Sequence, residues 1–300
     1  MHIPDNFLST PVWAAFDAIS VPAVGYLARR ASRDLDESRV PLLGVMGAFV
    51  FAAQMINFPV GIGTSGHLVG GALLACTLGP APAALVMTAI IATQAFVFQD
   101  GGVLALGANV FNMAIAGVLA AYLPIRFWGG NGNRKQAIFA GAFLSVMVSA
   151  TLALGELLIS GVPMPRPVIW TSFALFAVSA LIEGAITIAV LGAIEKLNPS
   201  FIQKPAASGG RALAGLSAAA LILGVAGFMI ASTAPDGIQR LGAQLGLTAQ
   251  THFHAPLADY AAGYFESTWM RRATAGLAGL LLIYGVCLVA GRWIGRQRSA

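Results

Sequence analysis

The stretch IWTSFALFAVSALIEGAITIAVLGAI, residues 169–194, runs for 26 residues with a single charged side chain, Glu183. As a helix it would extend roughly 39 Å at about 1.5 Å per residue, more than the roughly 30 Å hydrocarbon layer of a bilayer. Read outward from it, comparable apolar runs occur at 9–28, 40–59, 68–79, 81–98, 103–125, 137–160, 212–232 and 273–291. The whole chain is 57% apolar and 10% charged over 300 residues, with a mean hydropathy of +0.79. A soluble domain carries roughly 25% charged residues, so the composition excludes a disordered chain and argues against a soluble enzyme. The fold class expected is an all-α membrane protein. Cys76 and Cys287 both lie in apolar runs and read as small packing residues rather than a disulfide. The net charge of +5 is small and scattered, which gives no reason to expect nucleic acid.

The run at 68–79 is short and is separated from the next by Gly79-Pro80. It reads as a helix joined to its successor by a tight turn, with a bent or re-entrant element as the alternative. Nine segments put the chain ends on opposite sides. With the N-terminus outside, the inside loops hold Arg29, Arg30, Arg33 and Arg39; Arg126, Arg134 and Lys135; Lys196, Lys204 and Arg211; and Arg292, Arg296 and Arg298. These are 13 of the 17 basic residues, so the positive-inside bias favours an external N-terminus and a cytoplasmic C-terminus. The first basic residue is Arg29, so the start lacks the basic region of a signal peptide and is expected to be retained. The polar stretch 195–211 (EKLNPSFIQKPAASGGR) divides a seven-span domain, 1–200, from a two-span domain, 201–300, whose external loop covers about 233–272.

Four histidines are present, His2, His67, His252 and His254, and on this topology all lie on the outer side. His2 is the informative one. Second place brings three nitrogens within reach of one ion: the Met1 α-amine, the His2 amide and the His2 Nδ1. The first pair closes a five-membered chelate ring and the second pair a six-membered one. A deprotonated amide favours planar coordination, which suits Ni(II), Cu(II) and low-spin Co(II) better than tetrahedral Zn(II). A fourth nitrogen would complete the plane, and His67 is on the correct side. His67 sits in Gly61-Ile62-Gly63-Thr64-Ser65-Gly66-His67-Leu68-Val69-Gly70-Gly71, whose glycines permit close backbone approach and small-residue helix packing. Asn57, Ser65, Asp100, Asn109 and Asn112 are candidates to orient the imidazoles from behind. His252 and His254 form a possible loading site.

Other chemistries are open on the residues alone. Gly63-Thr64-Ser65-Gly66 matches the G-x-S-G of rhomboid-type serine proteases, but no later span supplies the histidine base. There is no H-E-x-x-H, and none of the three lysines follows a glycine as a phosphate-binding loop requires. A channel or ATP-independent carrier is the other alternative. Asp17, Glu156 and Glu183 fall within apolar runs, where carboxylates are costly and mark function by default.

Three motifs then carry a resemblance: MHIPDNFLS at 1–9, AAQMINFPVGIGTSGHLVGG at 52–71 and QDGGVLALGANVFNM at 99–113. In this order they resemble the nickel- or cobalt-binding membrane subunits (S-components) of energy-coupling-factor transporters, the CbiM/NikM family, over about residues 1–200. Asn6 stands where that family usually has glycine. The resemblance implies Met1, His2 and His67 as metal ligands, a compact helical bundle plugged by its N-terminal segment, and no catalytic residue of its own. It also implies Ni2+ or Co2+ as the transported substrate and a prokaryotic inner (plasma) membrane as the location. Two cytoplasmic ATPase subunits and a transmembrane coupling subunit are the implied partners. The second domain resembles the small two-span component with a PDGLE motif, here Pro235-Asp236-Gly237-Ile238-Gln239, and the fusion favours nickel over cobalt.

Overall fold

In the computed structural model the described residues are 1–34, 37–130, 132–198, 210–252 and 254–296. The expected boundary between residues 200 and 201 lies outside them. The helices are α1 (Thr10–Asp34), α2 (Val40–Gln54), α3 (Gly71–Leu78), α4 (Pro80–Thr93), α5 (Leu106–Asn109), α6 (Val118–Trp128), α7 (Arg134–Ile159), α8 (Arg166–Leu197), α9 (Gly210–Ala226), α10 (Gly237–Gln244) and α11 (Thr268–Arg296). Strands β1 (Asn57–Gly61) and β2 (Thr64–His67) form an antiparallel hairpin. Among the described residues, seven helical stretches are long and apolar enough to cross a membrane. All nine expected segments contain helix, but α2 has 15 residues and α3 only 8.

The run at 68–79 is a three-residue connection after β2 and the short helix α3, which Gly79 alone joins to α4, in the tight turn expected there. Glycine and glutamate explain the late start of α3. Gly70 takes φ +79° as it turns the chain into α3, a conformation costly for residues with a Cβ. A side chain there would also stand 2.6 Å from Val50 Cγ1. The N–H groups just before α3 are met by Glu183 of α8, which accepts from Val69 N–H at 2.7 Å and Gly70 N–H at 2.8 Å. A helix start away from water needs such partners. Glu183 thus fixes where this helix starts. Glu183→Ala removes two charge-assisted hydrogen bonds, each worth about 1.5–3 kcal/mol, and is expected to cost roughly 3–5 kcal/mol in thermal unfolding of the detergent-solubilised chain.

The other intramembrane carboxylates do similar work. Asp17 accepts from Gly107 N–H at 2.7 Å in the first turn of α5, and Glu156 accepts from Asn112 Nδ2 at 2.9 Å. Between α5 and α6 the helix widens to π geometry over Val110–Gly117, and Gln94–Phe98 does so at the end of α4. Helices α9 and α11 pack on α2 and on each other. Their crossing is at Gly224 and Gly276, where a Cβ on Gly276 would collide with the Gly224 backbone, as small-residue crossings require.

Candidate metal site

The first residues of the chain fold into the bundle. Met1, His2 and Ile3 are all buried. Asn109 of α5 holds Ile3 at both ends of its peptide, accepting from Ile3 N–H at 2.8 Å and donating to the Ile3 carbonyl at 3.0 Å. That carbonyl also accepts from Gly102 N–H at 2.8 Å. Asp5 accepts from the N–H groups of Val103, Leu104 and Ala105 at 2.8–3.2 Å, so the plug and the entry to α5 complete each other's hydrogen bonding. Asn6 lies at φ +72°. This left-handed conformation suits glycine, and asparagine is among the few other residues that tolerate it. Its amide also donates to Thr248 O at 3.1 Å.

This plug brings the expected ligands together. The Met1 amine is 2.6 Å from His67 Nε2, and the His2 and His67 rings are parallel within 5° with centroids 5.3 Å apart. His67 Nδ1 is 2.9 Å from Leu68 O. A carbonyl only accepts, so Nδ1 carries the proton and Nε2 presents its lone pair to the amine. Burial, then the nearby ammonium, push the imidazole pKa of His67 down to about 3, which keeps it neutral and available as a donor. His2 Nδ1 is 3.3 Å from Asp100 Oδ1, and its Nε2 has no hydrogen-bond partner among the described residues.

Two cis nitrogens of a planar set with metal–nitrogen bonds of about 2.0 Å lie about 2.8 Å apart. The separation of the Met1 amine and His67 Nε2 is close to this. Of the nitrogens expected as ligands, the structure brings the Met1 amine against His67 Nε2, while the His2 ring stacks on His67 with its Nδ1 turned toward Asp100.

Behind these nitrogens stand residues the sequence did not single out. Asp236, just before α10, takes the Met1 ammonium at 2.7 Å. Burial raises its pKa, but the Met1 ammonium outweighs that and holds it low. Tyr260 donates to Asp100 Oδ2 at 2.6 Å. Burial likewise pushes Asp100 up, and the contacts with His2 and Tyr260 bring it below the usual carboxylate range. Gln94, at the π turn of α4, donates to both Tyr260 Oη and Gln54 Oε1, at 3.3 and 2.9 Å. A cavity of about 340 Å³ beside the site is lined by His67, Asp100, Asp236 and Tyr260 among others.

Of the candidates for a supporting shell, Asp100 touches an imidazole directly, while Asn109 acts through Ile3. Asn112 bonds Glu156 instead. Ser65 Oγ donates to Ala234 O at 2.7 Å, and Asn57 pairs with His67 across the hairpin and lines the cavity. His252 shares a second cavity, of about 280 Å³, with His2, and His254 is exposed.

Together these features define a class: a polytopic helical membrane protein whose own N-terminus closes a buried, nitrogen-rich site. A family model described as cobalt uptake substrate-specific transmembrane region, CbiM, matches residues 2–201. The chain belongs to the CbiM family: it is a component of transition-metal transport, a multi-pass membrane protein of a prokaryotic transporter family, and not an enzyme. A protein of Archaeoglobus fulgidus assigned as a fused nickel transport protein NikMN is 33% identical over 98% of this chain and 99% of its own length. The fused nickel transport protein NikMN of Rhodobacter capsulatus is 29% identical over 97% of each. The cobalt transport protein CbiM of Thermosediminibacter oceani is 33% identical over 65% of this chain and 84% of its own. A crystal structure titled as a truncated transition metal transporter superposes with a TM-score of 0.58 at 32% identity, covering 65% of this chain and 99% of that one.

Proposed function

We propose that this chain is the substrate-binding membrane component of an energy-coupling-factor importer for nickel, with cobalt as the weaker substrate. The ion is held by a planar nitrogen set of the Met1 amine, the His2 amide and Nδ1, and His67 Nε2. The observation that carries this reading is the 2.6 Å approach of a free N-terminal amine to a neutral imidazole nitrogen, inside a plug held by Asn109 and Asp5. The Met1 end of the bundle faces outward and the C-terminus the cytoplasm, in line with the distribution of basic residues. Closure of the plug over the ion then precedes reorientation of the bundle by a coupling subunit, driven by two ATPase subunits. The nickel preference rests on full-length similarity to fused nickel transport proteins and on the stronger planar preference of Ni(II).

Competition of Ni2+ against Co2+ for the purified intact chain tests the reading. Nickel is expected to displace half of the bound cobalt at a lower free concentration than that of cobalt, and equal affinities would remove the nickel preference. Uptake into liposomes is expected only when the ATPase and coupling subunits are co-reconstituted. Uptake by the chain alone would make it an ATP-independent carrier.

A further inference from the structure

The C-terminal unit bonds the Met1 nitrogen through Asp236, and the role of this residue deepens the reading above and rests on it. Asp236 is 235 positions from Met1 in sequence, yet its Oδ2 lies 2.7 Å from the Met1 nitrogen, with Asp236 and Met1 both buried. Its placement is built on both sides. Oδ1 caps α10 by accepting from Gln239 N–H at 2.8 Å, and Gln239 Oε1 accepts from Asp236 N–H at 3.3 Å. This reciprocal capping box fixes the side chain and leaves Oδ2 for the amine. On the other side, residues 234–236 are stitched to β2, the strand that carries His67. Ser65 N–H donates to Pro235 O at 2.9 Å and Ser65 Oγ to Ala234 O at 2.7 Å, and Ser65 and Asp236 form an isolated parallel bridge. The carboxylate and His67 are therefore held on one framework, with the amine between them.

We propose that Asp236 is a positioning residue of the metal site. It aims the Met1 amine at the edge shared with His67 Nε2 and supplies negative charge beside a divalent ion, so the C-terminal unit is a structural part of the site. An outer-shell carboxylate that accepts from a ligating nitrogen orients that ligand and typically contributes about 10–100-fold to affinity.

Asp236→Asn separates this role from capping, because asparagine is as good an N-cap as aspartate but is neutral. The experiment measures Ni2+ affinity of the full chain, thermal unfolding, and the electron paramagnetic resonance spectrum of bound Cu2+. Asp236→Asn is expected to weaken Ni2+ binding about 10–100-fold and to alter the Cu2+ nitrogen hyperfine pattern, with thermal unfolding lowered by loss of the buried ion pair but still cooperative. Gln239→Ala, which keeps the carboxylate and loses only the reciprocal cap, is expected to bind Ni2+ within about threefold of the parent, far less than the outer-shell effect. Parent-like affinity and spectrum in Asp236→Asn, alongside loss of binding when Met1 is acetylated, would overturn this role and leave the nitrogen site standing. Parent-like binding in both would overturn the site as well. Weakening by Gln239→Ala equal to that of Asp236→Asn would reduce Asp236 to a cap.

Discussion

Acetylating the Met1 α-amine abolishes tight nickel binding. Acetylation turns the amine into a second amide, which can bind an ion only after losing its proton, so the neutral amine ligand is lost together with the five-membered ring that it closes with the His2 amide. The modification also removes the ammonium that bridges His67 Nε2 and Asp236 at 2.6 and 2.7 Å, leaving a buried carboxylate without its partner. Isothermal titration with Ni2+ is expected to show at least a 1000-fold loss, about 4 kcal/mol. A control with acetylated lysines and a free N-terminus retains binding, since no lysine among the described residues lines either cavity beside the site.

The second large effect is at His67. Loss of an outer-shell group costs about 10–100-fold, and loss of a direct ligand is expected to exceed it. His67→Ala removes the fourth nitrogen but leaves the three-nitrogen chelate of Met1-His2 in place. Nickel affinity is expected to fall about 1000-fold, or about 4 kcal/mol, with water or solute completing the plane. The ring also contributes its parallel contact with His2 and its hydrogen bond to Leu68 O, so His67→Gln is the companion variant that keeps more of the volume. Both are expected to bind weakly, and binding by either at the parent level would remove His67 from the ligand set. Replacing His252 and His254 is expected to change affinity far less.

Much of this was readable in the sequence because the signals are local. The apolar runs specify helices, and the chelate needs only adjacent residues, Met1 and His2. Other features depend on partners distant in sequence. The late start of α3 arises because Glu183 of α8 holds the N–H groups of Val69 and Gly70 and Gly70 adopts a left-handed turn, and neither has a periodic signature. The hairpin at 57–67 is masked by Pro59 and three glycines, which read as loop. The π segments depend on packing around Asn112 and Gln94. Asp236 was visible only as part of a degraded PDGLE motif. The clue to it was Gln239 three residues on, which preserves the capping box that aims the carboxylate. Asn6 shows the reverse case: the departure from glycine is explained by a left-handed φ of 72° that asparagine accepts.

The central claim is that one ion is held by nitrogens from the chain's own first two residues and from His67. X-ray absorption of the nickel-loaded intact chain tests it most directly. The claim predicts a planar, four-coordinate nitrogen shell with outer-shell scattering from two imidazoles, reduced to one in His67→Ala. A six-coordinate, oxygen-dominated shell, a sulfur ligand, or a spectrum unchanged by His67→Ala would contradict it.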